Sequence, residues 1–229
     1  MSAPADTAYR FAFCGAALEA LPSGALWWPE AGLLAVADLH LGRAERMARR
    51  GGALLPPYET EDTLLRLEAD VDAMAPREVL CLGDSFDDDA AAGALTEAHR
   101  LRLARLGAGR AWVWITGNHD PAPVELAGSL RGEVRRGPLV FRHIAEAGAV
   151  GEVSGHYHPK LRLGLGGASV ARRCFLIDAA RVILPAYGTY TGGLSTEAAA
   201  LAGLMGAGAV AVLTGARAQP VPLVRGRRR

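Results

Sequence analysis

The histidine and acidic side chains of this sequence are concentrated in a few short clusters. Asp38 and His40 form one pair, and His156 and His158 form a second pair with the same spacing. Two residues apart in an extended loop, both members of such a pair can point the same way. Five of the six histidines lie in or near these clusters, which packing does not explain. The remaining candidates lie between the two pairs: Asp84, Asn118, His119 and His143.

The donor types indicate which metals such a site would bind. Aspartate and histidine together suit Mn, Fe or Zn, because the set is too rich in nitrogen for Mg and lacks the sulfur of structural zinc sites. Mn is favoured, with Fe and Zn as alternatives, since no thiolate is available to hold zinc tightly. The cysteines lack paired spacing and are expected to be small core side chains in a reducing compartment: Cys14, Cys81 and Cys174.

Each cluster follows an apolar run of strand length. Five such runs occur, at residues 32–37, 78–82, 111–116, 138–142 and 152–154, and all but the run at 138–142 lead into a cluster. Helical patterns over 63–74 and 95–106 separate the first three runs, which predicts βαβ units. Short strands dominate afterwards, at 174–178, 181–184 and 220–224. Because loops at the carboxyl ends of parallel strands share one crevice, the clusters are expected to meet there.

Composition limits the remaining possibilities. The 229 residues, half of them hydrophobic, fit a single globular domain over 1–224, with a disordered basic tail at 225–229. A net charge of +1 provides no global field towards nucleic acid or membrane. The uncharged segment 198–216 could span a bilayer by length, but its glycines favour a helix over 201–205 and a buried strand over 209–213. With no signal peptide at the N-terminus, a soluble cytoplasmic protein is expected.

The ordered motifs resemble the signature of the calcineurin-like metallophosphoesterase superfamily. The series runs D-x-H (Asp38, His40), G-D-x-x-D (83–87), G-N-H-D (117–120), a lone His143 and G-H-x-H (155–158). A single motif would be weak evidence, whereas the ordered set is specific. The resemblance implies an α/β fold, the four-layer α/β/β/α sandwich of this superfamily, with a dinuclear site at one edge.

The resemblance also implies a role for each residue. The first of two divalent metals would be held by Asp38, His40 and His158. The second would be held by Asn118, His143 and His156, with Asp84 bridging both ions. A bridging carboxylate offsets the repulsion of cations about 3.5–4 Å apart, and the hydroxide they share would attack phosphorus. His119 would be the acid that faces the leaving group.

A narrower resemblance involves two further stretches. Residues 51–67 and 183–194 are similar to the DNA-ligase-associated (PdeM-type) metallophosphoesterases, a bacterial group of Mn-dependent phosphodiesterases or endonucleases linked to the DNA damage response. This similarity implies DNA as substrate and functional association with a DNA ligase and a helicase. One position differs, because that group often has histidine where this chain has Asp87. A part for Asp87 in phosphate contact or proton transfer is therefore left open.

Several alternatives stay open at the level of sequence. Arg43, Arg46 and Arg50 share one helix face, which is either a track for a nucleic-acid backbone or an ordinary solvated face. The aspartates at 87–89 are expected to form a solvated acidic loop, and the tyrosines and glycines at 187–193 either face substrate or make turns. Besides a DNA phosphodiesterase, the chain could be a nucleotide or cyclic-nucleotide phosphoesterase, or an inactive scaffold. The complete ligand set with His119 argues against the scaffold.

Overall fold

The computed structural model describes residues 7–52, 54–119 and 127–223. Its first β-sheet has seven strands that follow one another in sequence and in space. The first three strands form an antiparallel meander, and the later strands pair in parallel. The strands of this first sheet are β1 (Tyr9–Phe13), β2 (Ala16–Ala20), β3 (Leu26–Trp28), β4 (Leu33–Val36), β5 (Glu78–Leu82), β6 (Ala111–Ile115) and β7 (Ser129–Arg131).

The second sheet contains the remaining strands in a mixed arrangement. They are β8 (Glu133–Arg136), β9 (Leu139–Arg142), β10 (Glu152–Ser154), β11 (Lys160–Leu165), β12 (Ala168–Ile177), β13 (Arg181–Ile183), β14 (Val210–Leu213) and β15 (Gln219–Pro222). Their order across the sheet is β15-β14-β12-β13-β10-β9-β8, and β11 pairs with β12. At the centre, β9, β10 and β13 are parallel.

Helices cover the outer faces of the two sheets. The helices are α1 (Arg43–Arg49), α2 (Glu59–Met74), α3 (Asp89–Gly93), α4 (Glu97–Gly107) and α5 (Ala199–Leu204). On the first sheet, Leu67 of α2 and Leu103 of α4 belong to the same core as Trp114 of β6. On the second sheet, Leu201 of α5 packs with Leu176 of β12. The predicted four-layer α/β/β/α architecture is confirmed.

The two sheets bury their inner faces against each other. Leu82 and Ile115 from the first sheet share this core with Phe141, Phe175 and Val182 from the second. Central strands such as β5 are therefore apolar on both faces, which explains why they read as continuous apolar runs rather than as alternating patterns. This packing fixes the ends of the central strands relative to one another, and those ends carry the candidate site.

The sequence-based elements agree with the structure to different degrees. The predicted bounds of β5 and β10 are those observed, and the uncharged segment 198–216 contains α5 and β14 as expected. The predicted helix at 95–106 begins later, because the Thr96 side chain accepts from the His99 amide and caps α4. Within the described part of the chain, no helix is long and apolar enough to cross a membrane. The predicted basic tail at 225–229 lies outside the described residues.

Candidate metal centre

The candidate ligands lie where the carboxyl ends of both sheets meet. Asp38, Asp84 and Asn118 follow the parallel strands β4, β5 and β6, whereas His143 and His156 follow β9 and β10. One hydrogen bond joins the two sheets directly, since the His156 amide donates to Asp38 Oδ2 at 2.9 Å. The structure thus brings together residues that are up to 120 positions apart in the chain.

Three of these residues form cluster 1, which consists of Asp38, His40 and His158. Their donor atoms lie within 4.8 Å of one another. His158 Nε2 is 3.2 Å from Asp38 Oδ1. Among the described residues, Asp38 Oδ1, His40 Nε2 and His158 Nε2 are buried and have no hydrogen-bond partner. Buried polar atoms without partners are costly, so their convergence fits a bound cation.

Cluster 2 consists of Asp84, His143 and His156, again with donor atoms within 4.8 Å. His143 Nδ1 lies 2.9 Å from the carbonyl oxygen of Leu82, which can only accept, so Nδ1 carries the proton of the neutral ring. The Nε2 lone pair then faces Asn118 Oδ1 at 2.9 Å, His156 Nδ1 at 3.2 Å and Asp84 Oδ1 at 3.4 Å. So many lone pairs at one point also fit a cation.

Asp84 lies between the two clusters. Its Oδ2 is 3.9 Å from His40 Nε2 in cluster 1, and its Oδ1 is 3.4 Å from His143 Nε2 in cluster 2. Burial works against its charge, but His143, the His119 amide and His40 outweigh burial and lower the pKa of Asp84 to about 2. The carboxylate is therefore ionised at neutral pH, with one oxygen turned towards each cluster.

The two histidines of cluster 2 respond differently to this surrounding charge. Burial lowers the pKa of His143, but the carboxylates of Asp84 and Asp38 outweigh burial, so its pKa is raised. Burial, reinforced by the charge of His143, lowers the pKa of His156. The cluster thus favours one added positive charge and disfavours a second proton beside it, which suits a cation that replaces the proton.

Asn118 and His119 lie at the exposed edge of the centre. The His119 amide donates to Asp84 Oδ1 at 2.9 Å, which anchors the backbone of this turn. The ring centroid of His119 is 5.9 Å from that of His40. His119 therefore lies next to the clusters without belonging to either. The remaining histidine, His99, is distant from the site and pairs with Glu61 at 3.4 Å.

The backbone of the site is strained and closely packed. Five candidate ligands have φ between 45° and 71°, a region that non-glycine residues rarely adopt and that concentrates at functional sites: Asp38, His40, Asp84, His156 and His158. A Cβ atom at Gly83 would lie 2.3 Å from His143 Nδ1, and one at Gly117 would lie 2.2 Å from Asp84 Oδ1. These motif glycines are needed because ligand side chains occupy the space.

Asp87 is not part of a solvated acidic loop, so that prediction is wrong for this residue. Its side chain is 1% exposed, and its Oδ1 lies 2.8 Å from His40 Nδ1. Arg43 and Arg46 contact its two oxygens at 2.9 and 2.8 Å. Burial would raise the pKa of Asp87, but His40 and the two arginines hold it well below its usual range. Asp87 thus contacts His40 at Nδ1, whereas the other ring nitrogen, Nε2, lies towards Asp84.

The arginines of α1 and its C-terminal end differ in their exposure and in the aspartate that they contact. Arg43 and Arg46 point at Asp87, and their side chains are 22% and 19% exposed. Arg50 caps the end of α1, is 58% exposed and lies 3.4 Å from Asp88. Arg49, which the sequence analysis did not single out, also pairs with Asp88, at 2.9 Å. The sequence carried no signal for these pairs, because each arginine is at least 38 positions away from its aspartate.

The loop after β13 packs against the backbone of the segment that carries Asp38. The amides of Tyr187 and Gly188 donate to the carbonyls of Ala37 and Asp38 at 2.8 and 3.0 Å. A Cβ at Gly188 would lie 2.0 Å from the Leu39 carbonyl oxygen, so a side chain there has no room. Arg66 of α2 holds the other side of the loop by donating to Tyr187 O at 2.8 Å. This loop and the start of α2 contain the two stretches that carried the narrower resemblance.

Comparisons with known proteins find a similar fold but no matching family model or curated sequence. No protein-family model matches the chain, and no curated protein matches its sequence. Among solved structures, the fold is similar to that of the nuclease MPE of Pseudomonas putida, with a TM-score of 0.72 and 26% sequence identity. The similarity covers 93% of this chain and 100% of that one. The chain therefore has the fold of a nuclease and carries two candidate metal-binding clusters at one edge.

Proposed function

We propose that this protein is a metal-dependent phosphodiesterase of the calcineurin-like type that hydrolyses DNA. The observation that carries the proposal is the convergence of two donor clusters on one ionised carboxylate, Asp84. A single metal would need only one such cluster. Two clusters sharing one carboxylate are the arrangement expected for a pair of cations about 3.5–4 Å apart.

The donor set fits two divalent ions. Asp38, His40 and His158 would hold one ion and leave their unpartnered buried atoms satisfied. The second ion would be held by Asn118, His143 and His156, and Asp84 would contact both. Oxygen and imidazole donors without thiolates favour Mn, with Fe or Zn as alternatives. When bound, such a pair supplies an activated water and neutralises charge on the phosphoryl oxygens.

The chain's own contribution to bond cleavage comes from His119. Its ring is exposed beside cluster 1, while its amide is fixed by Asp84 at 2.9 Å. This position suits a group that donates a proton to the leaving oxygen without binding a metal itself. The protonated imidazole also adds positive charge where the leaving group becomes negative.

DNA is preferred over a small substrate for two reasons. The solved structure with this fold is described as a nuclease. In addition, the space beside cluster 2 is an open cleft of about 350 Å³ rather than an enclosed pocket; Asn118, His143 and Ile144 line it together with Arg142, which pairs there with Glu133 and Glu146. An open cleft admits a polymer, whereas a closed pocket would favour a nucleotide. A role in the DNA damage response and association with a DNA ligase or helicase stay predictions from the resemblance alone.

A substrate panel tests the proposal. The full-length protein would be assayed with Mn, and separately with EDTA, on bis-p-nitrophenyl phosphate, p-nitrophenyl phosphate, a cyclic nucleotide, and single- and double-stranded DNA. We expect Mn-dependent cleavage of the diester and of DNA, with EDTA abolishing both. Preference for the cyclic nucleotide or the monoester would favour the small-molecule alternative. No hydrolysis with Mn, Fe or Zn would leave the inactive scaffold.

A further inference from the structure

Asp87 is a buried carboxylate whose two oxygens are both occupied by charged groups. Oδ1 lies 2.8 Å from His40 Nδ1 and 2.9 Å from Arg43, and Oδ2 lies 2.8 Å from Arg46. With 1% of its side chain exposed, Asp87 has no surface left for a substrate phosphate. Its contacts point instead towards a candidate metal ligand.

The two nitrogens of His40 face opposite surroundings. Nδ1 lies 2.8 Å from Asp87 Oδ1, close enough for an ionic contact although the two atoms are not aligned as a hydrogen bond. Nε2 is also buried and lies on the side of Asp84 Oδ2, which is farther away at 3.9 Å. A carboxylate beside Nδ1 favours the tautomer with its proton there, and this leaves the Nε2 lone pair for a metal. Carboxylates that orient metal-bound histidines in this way commonly change metal affinity by about 10–100-fold.

Backbone contacts hold the two groups in register. The Asp87 amide donates to Leu41 O at 3.1 Å, and the Leu41 amide donates to Ser85 O at 2.9 Å. The His40 amide donates to Asp84 O at 2.9 Å, which continues the same pairing. The loops after β4 and β5 are therefore joined directly beneath the site. The position of Asp87 relative to His40 depends on this pairing and on the two arginines together.

We infer that Asp87 is a positioning residue that holds His40 with Nε2 directed at the metal centre, and that Arg43 and Arg46 hold Asp87 in place. This inference rests on the proposed function, because it concerns how cluster 1 binds its metal. It assigns Arg43 and Arg46 to support of the site rather than to a phosphate track. A purely structural role for Asp87, as a counter-charge for these half-buried arginines, is the alternative that the experiment must separate.

The test compares Asp87→Asn with Asp88→Asn in the full-length chain. Asp88 carries the same charge in the same loop but does not contact His40: its closest partners are Arg49 and the Ala91 amide at 2.9 Å, and Arg46 is farther away at 3.6 Å. Asparagine caps helices as well as aspartate does, so this control preserves α3. Mn affinity would be measured by competition titration, and the His40 tautomer by nitrogen-15 NMR on the metal-free protein.

We expect Asp87→Asn to weaken Mn binding at one site by about 10–100-fold and to shift the His40 proton towards Nε2. Asp88→Asn should change neither measurement. Wild-type Mn affinity and an unchanged tautomer in Asp87→Asn would overturn the inference. An equal loss of Mn affinity in both variants would also overturn it, because the effect would then come from the negative charge of the loop rather than from contact with His40. If the wild type binds no Mn, the proposed function fails, but the tautomer of His40 still decides the inference.

A second observation concerns two tyrosines beside the site. The rings of Tyr58, at the start of α2, and Tyr190, in the loop after β13, lie 5.8 Å apart and are tilted by 54°. Tyr58 is 56% exposed, so the pair presents aromatic surface to solvent. Tyr190 has φ of 63°, a conformation that is rare for a bulky residue. Strain of this kind persists where the surrounding structure enforces it, often at ligand sites.

The loop that carries Tyr190 is hydrogen-bonded both to the backbone of Asp38, a candidate ligand, and to α2. Gly188, two residues before Tyr190, donates to the Asp38 carbonyl at 3.0 Å, and two residues of chain reach at most about 7 Å. The Thr189 amide donates to Thr63 Oγ1 at 3.1 Å, which ties the loop to α2. A hydrogen bond with Tyr58 raises the pKa of Tyr190 to about 12, so the two phenols are linked to each other.

The geometry points to Tyr58 and Tyr190 as a stacking subsite for a nucleobase next to the scissile phosphate. It is independent of the Asp87 contacts and rests on the proposed DNA substrate. Aromatic side chains beside a single cleavage site are suited to this role, because every base offers a flat face to stack on. Neutral, preorganised rings bind a base without the entropy cost of ordering a loop.

The test uses Tyr58→Ala and Tyr190→Ala, with the two phenylalanine variants and Tyr9→Ala as controls. Tyr9 stacks on Phe11 in β1, on the edge strand of the first sheet. We expect the alanine variants to bind oligonucleotides about 5- to 100-fold more weakly and to hydrolyse a small diester normally. The phenylalanine and Tyr9 variants should behave like the wild type. An oligonucleotide with an abasic residue next to the cleaved bond should bind the wild type more weakly, whereas the alanine variants should show no further loss of affinity.

Two results would overturn the stacking subsite. One is that the abasic residue weakens binding by the alanine variants as much as it weakens binding by the wild type. The other is that the alanine variants lose activity equally on DNA and on the small diester, which would mean that the tyrosines only support the loop. If the wild type hydrolyses the diester but no DNA, the proposed substrate is wrong. Quenching of tyrosine fluorescence by deoxyadenosine monophosphate, present in the wild type and absent from both alanine variants, would then still support stacking of a base.

Discussion

Asp84 is placed differently from the other candidate ligands, because its two carboxylate oxygens face different clusters. Asp84→Asn removes the negative charge from between two cations, so we expect poor metal binding at both sites. His119→Ala removes a group outside both clusters, so we expect both metals to remain. Metal counting on the purified variants checks this pair of outcomes. An empty site in His119→Ala would refute the assignment of His119.

The proton-donating role of His119 can be separated from metal binding through the leaving group. A DNA leaving oxygen needs a proton, whereas p-nitrophenolate leaves readily without one. We therefore expect His119→Ala to slow DNA cleavage by about 10²–10⁴-fold and to slow hydrolysis of bis-p-nitrophenyl phosphate much less. Turnover of both substrates would be compared at saturating Mn. Equal slowing would mean that His119 acts on the phosphoryl group rather than on the leaving oxygen.

At the residue scale, the sequence identified the residues that share unusual types and strand-end positions. His156 could be named because a buried strand leads into its cluster, whereas His143 could be named only from its place between the third and last motifs of the resemblance. Asp87 was misplaced, since three consecutive aspartates resemble a solvated loop and nothing local shows that the first of them is buried beneath His40. Its arginine partners lie more than 40 positions earlier in the chain, beyond the reach of any local pattern.

The turn after β6 makes a prediction at the scale of an element. A Cβ at Gly117 would lie 2.2 Å from Asp84 Oδ1, so Gly117→Ala must displace either the turn or the carboxylate. We expect loss of metal binding and activity with little loss of secondary structure. Gly132→Ala is the matched control, because a Cβ there would meet no described atom within 4 Å. Metal titration and circular dichroism check both variants, and normal metal binding in Gly117→Ala would contradict the prediction.

The elements themselves were predictable where their pattern was strong. Central strands such as β5 and β10 bury both faces, and their continuous apolar runs fixed their bounds. The antiparallel strands β1–β3 were not predicted, because they are short and more exposed residues alternate with more buried ones along them. Only the part of β12 after Cys174 was predicted, since its first half pairs with β11 in an exposed hairpin. Tertiary pairing, rather than local preference, decides such strands.

At the scale of the whole molecule, the candidate centre joins the two sheets. Asp38 and His40 extend from the first sheet, and His156 and His158 extend from the second. Metal binding should therefore resist separation of the sheets. Mn at about 100 times its Kd should stabilise the folded protein by about 2.7 kcal/mol for each occupied site. Thermal unfolding with Mn and with EDTA measures the difference, and an unchanged Tm would argue against binding of Mn to the folded protein.

Recognition of DNA by the arginine helix is the remaining question at this scale, and the structure divides its arginines into two groups. Arg43 and Arg46 support Asp87, so reversing either to Glu should impair DNA and small-diester hydrolysis alike. Arg50 is 58% exposed, and its side chain lies 3.4 Å from Asp88. If DNA follows this helix, Arg50→Glu should weaken DNA cleavage at low salt and leave the small diester unchanged.

Salt dependence separates a phosphate contact at Arg50 from a general loss of binding. Each phosphate contact adds about one unit to the slope of log affinity against log salt, because counterions are released. Arg50→Glu should therefore show a shallower slope than the wild type, with the two curves converging at high salt. Arg105→Glu, a change of equal charge at a side chain that is 71% exposed on α4, provides the control and should retain the wild-type slope. Identical slopes in the wild type and in Arg50→Glu would place the DNA elsewhere on the molecule, and α1 would then serve only to hold Asp87 against His40.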